Sequence, residues 1–213
     1  MHPASVINEE AVANRLYRSL TNQEYWDTQA NSARPDLKFE GDEHLDYLWD
    51  MLYESGLTDI EYLDDIARDD PKVTKAISLW STQRAAKCRA EMFKIPVEND
   101  RVRAHRLIQC YPPELTSPLG IYWTHSYYNM IDPVAPWGRE KNTRSTVPTL
   151  VIEAMIPTAA IDWETSCVAL CDWYCGDSES ELRIIAGHTI EPISIFNNAN
   201  DEPYEIPDIT WIT

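Results

Sequence analysis

The sequence is poor in glycine and in basic residues. It has 6 glycines against 14 prolines, and 18 lysines and arginines against 35 acids, which gives a formal charge of −17 at pH 7. This excess of acid argues against unaided binding to nucleic acid or to an anionic membrane, because phosphate binding depends on basic groups that release counterions. Either a protein partner with a basic surface or the solubility of the protein itself accounts better for this charge.

Long apolar runs are also absent. No run approaches the ~20 residues of a membrane helix, and the first twenty residues lack the hydrophobic segment of a secretory signal. We therefore expect a cytoplasmic protein, in its own cell or in a host cell. The five cysteines are an odd number without a CxxC pair, which favours reduced thiols. Cys167, Cys171 and Cys175 are four apart, so they are either metal ligands on one helix face or ordinary thiols; the absence of a fourth ligand favours thiols.

Several catalytic signatures are missing. The sequence contains no GxxxxGK[ST], GxGxxG, GxSxG or HExxH pattern, which removes the usual indications of a phosphate loop, a dinucleotide-binding Rossmann site, a serine hydrolase or a zinc peptidase. What is present is 44% hydrophobic residues in 213, enough for a packed core of one large domain or two small ones.

The first hundred residues predict helices. Asn8 is a candidate N-cap before Val12, Leu16 and Leu20, which recur every four residues. Apolar stripes predict two further helices around 45–52 and 60–66. The fourth helix is predicted to start at Pro71 after the cap Asp70 and to end near Phe93.

From residue 101 the pattern changes to short β-like runs separated by proline, asparagine and glycine. The predicted strands are 102–110, 120–123, 149–156, 181–185 and 189–196. Helices followed by strands indicate an α+β protein. We expect a helical lobe over 1–98 and a β-rich domain over 99–213, which pack as one compact unit.

Charge within the helical half is uneven. Residues 40–70 carry twelve acids and one base, Arg68, whereas residues 72–94 carry six bases and one acid, Glu91. Either the two segments are solvated faces of a helical bundle that attract each other, or the acidic segment is a surface for a basic partner.

Two β segments carry polar residues of functional interest. In RVRAHRLIQ, strand alternation places Arg106 on the same face as Val102, Ala104 and Ile108, and an inward arginine needs an anion or a carboxylate partner. In GIYWTHS, the aromatic residues Tyr122 and Trp123 precede the hydroxyl of Thr124, a combination that can stack a flat ring and donate a hydrogen bond.

The segment CDWYCGDSESELRIIAG is the most specific. Glu179 and Glu181 are two apart where a loop enters a strand, so an extended chain projects both carboxylates to one side. Two close carboxylates can divide the work at a sugar carbon, because one stabilises developing positive charge while the other orients or deprotonates a nucleophile. A solvated acidic strand end is the alternative.

The order of these segments resembles the mono-ADP-ribosyltransferase family of the arginine, serine, glutamate type, over about residues 101–196. The resemblance implies a mixed, mainly antiparallel β core of ADP-ribosyltransferase type, with NAD as co-substrate and transfer of ADP-ribose to a protein side chain, arginine favoured. A role as a toxin or effector is implied as well.

The family's residues carry over by position. Glu181 would be the catalytic second glutamate of E-x-E, and Glu179 would orient the acceptor. Arg106 would bind the NAD phosphate or ribose, with Arg103 as a rival on the opposite strand face. The nicotinamide would be framed by Tyr122, Trp123 and Thr124, and target recognition would fall to Trp173 and Tyr174.

A second function class stays open. In this alternative the protein is a non-enzymatic binding or inhibitor protein whose acidic segment 40–70 occupies a basic partner surface as a charge mimic. Binding would then be sensitive to salt and independent of NAD, because exposed charge pairs are screened over about 8 Å at physiological ionic strength.

Overall fold

The computed structural model describes residues 2–21, 71–126, 147–171 and 180–213. Within these residues the protein is α+β, with three α-helices and a six-stranded antiparallel sheet, as the order of the sequence patterns predicts. The chain divides into two compact units, Asn8–Arg89 and Met1–Ile7 with Ala90–Thr213. The expected division at residue 98 stays a prediction, because residues 22–70 lie outside the described ranges.

The first helix begins at its predicted cap. Helix α1 is Glu9–Thr21, and Asn8 Oδ1 accepts the backbone N–H groups of Glu10 at 3.0 Å and Ala11 at 3.3 Å. These bonds satisfy two of the four N–H groups that a helix start leaves without a partner. The four-residue spacing of its apolar residues buries Val12, Leu16 and Leu20.

The second helix, α2, is Pro71–Met92, within one residue of its predicted end. Its buried stripe includes Ile77, Trp80 and Met92. The predicted helices around 45–52 and 60–66 lie outside the described residues, as does the acidic segment 40–70. Within the described residues, no helix has the length and apolar character that crossing a bilayer requires.

The sheet contains all five predicted strands, with ends shifted by up to two residues, and one more. Its members are β1 Arg101–Gln109, β2 Tyr122–Thr124, β3 Thr149–Pro157, β4 Glu181–Arg183, β5 Glu191–Asn197 and β6 Pro203–Tyr204. Their order in the sheet is β4-β2-β1-β3-β5-β6. The three strands that carry the sequence motifs are therefore neighbours at one side of the sheet.

The two faces of the sheet differ in chemistry. On β3, alternate residues Leu150, Ile152, Ala154 and Ile156 are fully buried, and the β1 partners of this face include the buried Val102 and Ala104. We call this the apolar face. The other face carries Glu153 of β3 and its β1 partner His105, and we call it the polar face.

A third helix, α3 at Trp163–Cys171, protects the outer edge of β4. The hydroxyl of Ser166 accepts the N–H of Arg183 at 2.9 Å, and the N–H of Asp162 donates to the carbonyl of Arg183 at 2.9 Å. Cys167 and Cys171 are four apart on this helix; both are fully buried and neither forms a disulfide bond. Cys175, the third cysteine of that spacing, lies outside the described residues.

The C-terminal segment is packed against the β unit. The N–H of Ile190 donates to Trp211 O at 3.0 Å, and the N–H of Gly187 donates to Thr213 O at 2.8 Å. Trp211 and Thr213 are both buried. Trp211 and Thr213 thus belong to the core of their unit, whereas residues 201–210 are exposed or partly exposed.

Candidate functional site

A row of polar residues crosses five strands on the polar face. Directly paired residues of antiparallel strands project to the same side of a sheet, with Cβ atoms about 4.5–5.5 Å apart. In strand order from β4 to β5, the row is Glu181, Thr124, His105, Glu153 and Ser194. The register therefore brings the predicted Glu181 and Thr124 together.

Glu181 forms an ion pair with Arg183, and the guanidinium of Arg183 lies over an aromatic ring. Its Oε1 is 2.6 Å from Nε of Arg183, and the Glu181 side chain is only 20% exposed. The guanidinium carbon of Arg183 is 4.2 Å from the ring centroid of Tyr122, which is the residue paired with Arg183 across β2 and β4. Tyr122 itself is about half exposed, so this end of the row is open to solvent.

Thr124 connects the two motif strands. Its hydroxyl donates to Ser180 O at 3.3 Å and accepts the N–H of Ser126 at 3.2 Å. The N–H of His125 also donates to Ser180 O, at 3.2 Å. Ser180 has a positive φ of 48°, in the left-handed region that non-glycine residues rarely adopt. These bonds fix the backbone at the point where the chain enters β4 and delivers Glu181.

The centre of the row is a hydrogen-bonded network around Glu153, which is outside the sequence motifs described above. One carboxylate oxygen of Glu153 accepts from Arg103 at 2.8 Å and lies 3.7 Å from Nε2 of His105. The other accepts the hydroxyl of Ser194 at 2.8 Å. The signal in the sequence is the single acid in the otherwise apolar strand TLVIEAMIP, because a lone carboxylate there must find partners on neighbouring strands.

The two histidines of this region are shifted toward the neutral form. Burial lowers the pKa of His105, against the opposing attraction of the Glu153 carboxylate. Burial also lowers the pKa of His125, and the nearby His105 lowers it further. Burial therefore favours the neutral form of both imidazoles.

Arg106 lies on the apolar face, away from Glu181. Its Nη1 donates to the carbonyl of Tyr122, and its Nη2 is 2.9 Å from the position that a Cβ on Gly120 would take. Burial lowers the pKa of the guanidinium, and its Nε is buried with no hydrogen-bond partner. The inward direction predicted from strand alternation is confirmed, whereas the part of the chain that the structure describes offers it no carboxylate.

Trp123 shares that face. It is 2% exposed, and its indole N–H donates to Gly120 O at 3.0 Å. The structure therefore brings Glu181, Thr124 and Tyr122 together on the polar face and places Arg106 and Trp123 on the other side of the sheet. Arg103, the rival arginine, lies on the polar face with a side chain that is 58% exposed.

Three predicted site residues, Glu179, Trp173 and Tyr174, lie outside the described residues. Over the ranges that the structure covers, no group of three histidine, cysteine, aspartate or glutamate side chains is arranged to hold a metal ion. No protein-family model, no curated protein and no solved structure matches this chain.

Proposed function

We propose that this protein is an NAD-dependent mono-ADP-ribosyltransferase, with a β core of ADP-ribosyltransferase type and a protein side chain, arginine favoured, as acceptor. The observation that carries the proposal is the pairing of Glu181 with Thr124 across β4 and β2. The glutamate that resembles the catalytic residue thus lies beside the hydroxyl that resembles the nicotinamide-pocket residue. Two residues that the resemblance assigns to one site are neighbours in the sheet, and this pairing supports the proposal.

The reaction replaces one bond at the ribose C1′ with another. The bond between C1′ and the nicotinamide nitrogen breaks, its electron pair stays with the nicotinamide, and that ring leaves without charge. The acceptor atom forms a bond to C1′ and loses a proton. Positive charge develops at the sugar carbon in between, so a fixed carboxylate is the group that stabilises the transition state.

The polar face supplies groups that suit parts of NAD. The Glu181 carboxylate can accept from ribose hydroxyls and stabilise the charge at C1′. Tyr122 offers an exposed ring for a flat base, and Thr124 a hydroxyl beside it. For the diphosphate we favour Arg103 over Arg106, because Arg103 is on the same face as Glu181 and the resemblance alone supports Arg106. By resemblance, Glu179 acts on the acceptor, and Trp173 and Tyr174 contact the target.

The test uses labelled NAD, a cell extract and the Glu181→Gln variant. Glutamine keeps the size of the side chain and removes its charge, so we expect loss of transfer by at least a hundredfold with an unchanged fold. The matched control is Glu205→Gln, at an exposed acid of the C-terminal segment, which should label protein as the wild type does.

Equal labelling by both variants would overturn the role of Glu181. Release of nicotinamide without labelled protein would indicate hydrolysis of NAD in place of transfer to protein. If the wild type neither binds nor consumes NAD, the transferase proposal is wrong and salt-sensitive binding through the acidic segment 40–70 becomes the function to pursue.

A further inference from the structure

Arg183 occupies a position that the proposed reaction needs free. Its guanidinium lies between the Glu181 carboxylate, 2.6 Å from its Nε, and the ring of Tyr122, 4.2 Å from its central carbon. A carboxylate at the side and an aromatic ring at the face are the two surroundings that stabilise a planar cation.

The side chain of Arg183 can move away from Glu181 and Tyr122, whereas its backbone is held in the sheet. Its backbone N–H donates to Ser166 Oγ and its carbonyl accepts from Asp162, both at 2.9 Å. The same residue is paired with Tyr122 in the ladder of β2 and β4. The side chain is 31% exposed, so rotation about its own bonds carries the guanidinium into solvent while the strand stays in place.

We propose that Glu181 and the ring of Tyr122 form a binding site for a planar organic cation, and that Arg183 fills this site as an internal competitor. A ligand that enters must displace the guanidinium. In NAD the nicotinamide ring is such a cation, and this identification of the ligand rests on the function proposed above.

Competition between Arg183 and a ligand predicts how removal of Arg183 changes the binding affinity. The paired Nε and Oε1 atoms of Arg183 and Glu181 are buried, so the attraction between them is offset by the cost of removing both charges from water. The contact with the half-exposed ring of Tyr122 is of modest strength. Loss of both contacts should raise the affinity for a planar cation by about tenfold. The affinity for a neutral ring of the same shape should change little, because a neutral ring gains nothing from the Glu181 charge.

The experiment compares binding of 1-methylnicotinamide, which is cationic, with binding of nicotinamide, which is neutral, by titration calorimetry. We expect Arg183→Gln to bind the cation about tenfold more tightly than the wild type does, with little change for the neutral ring. The matched control is Arg101→Gln, which removes another arginine paired with a glutamate, Glu191, on the same unit. This control should leave both affinities at the wild-type values.

Two further variants keep the test decisive. Arg183→Lys keeps the charge and the fold but loses the planar group, and we expect an intermediate affinity for 1-methylnicotinamide. Adding Tyr122→Leu to Arg183→Gln should abolish the gain. Unchanged cation affinity in Arg183→Gln, or an equal gain for neutral nicotinamide, would overturn the inference. Because these probes carry no transferable group, the result stands apart from the turnover of NAD, so either proposal can fail alone.

Discussion

At the scale of single residues, the space next to Gly120 determines where Arg106 lies. Gly120 has φ +84°, and its missing side chain leaves the room that the guanidinium of Arg106 fills. Gly187 has a similar φ of +86° with open space around it. The two glycines therefore share a positive φ, but only Gly120 has another side chain, that of Arg106, next to the position of a Cβ atom.

We predict that Gly120→Ala loses more stability than Gly187→Ala. Both alanines adopt a left-handed conformation at a cost of roughly 1–2 kcal/mol. The Cβ at position 120 also pushes the end of Arg106 away from the Tyr122 carbonyl, which adds about 1 kcal/mol for the lost hydrogen bond. Urea unfolding of the two variants measures the difference. Adding Arg106→Ala to each should remove that difference, and a difference that survives would place its cause elsewhere.

At the scale of elements, the sequence predicts the strands well and the site only in part. Strand alternation in RVRAHRLIQ predicts that the side chains of His105 and Arg106 lie on opposite faces of the sheet. This holds for any residues on the neighbouring strands. Alternation does not reveal which β2 residue faces which β1 residue, because register is set by partner strands and turns. The pairing of His105 with Thr124 decides that Arg103, not Arg106, shares a face with Glu181.

The sequence patterns do not predict helix α3, and the reason is related. Its nine residues bury Trp163, Ser166, Cys167, Leu170 and Cys171. Their spacing of three and four residues is typical of a helix. The pattern is nevertheless weak, because the helix is short and one of its buried residues is the polar Ser166. Ser166 is buried because its hydroxyl pairs with the edge of β4, a contact with a strand that begins fifteen residues later in the chain.

We predict that Ser166→Ala destabilises the β unit by about 1–3 kcal/mol. The substitution leaves the N–H of Arg183 without its partner at a buried strand edge. Ser19→Ala is the control, because Ser19 Oγ also donates to a carbonyl four residues earlier, as Ser166 Oγ does, but Ser19 is on the surface of α1. That control should stay within about 0.5 kcal/mol of the wild type. Thermal unfolding measures the stability of both variants. An equal loss of stability in the two would contradict the proposed role of the contact between Ser166 and the edge of β4.

At the scale of the whole molecule, burial of His105 and His125 links stability to pH. The folded protein lowers the pKa of both histidines, chiefly by burial, whereas the unfolded chain titrates them near the ordinary value of 6.5. Between the two values the unfolded state binds more protons. The stability is therefore full above about pH 6.5 and is lost as the pH falls through the folded-state pKa values.

We predict that the free energy of unfolding decreases from pH 6.5 to pH 5.5, by at most about 1.4 kcal/mol per pH unit for each histidine. Urea unfolding at pH 7.5, 6.5 and 5.5 measures this slope. His105→Gln should reduce it, since glutamine keeps a polar group near Thr124 and Glu153 but takes up no proton in this range. A second change, His125→Gln, should flatten the slope further. If the double variant keeps the wild-type slope, the titration of other groups, and not the burial of these two imidazoles, sets the response of the fold to acid.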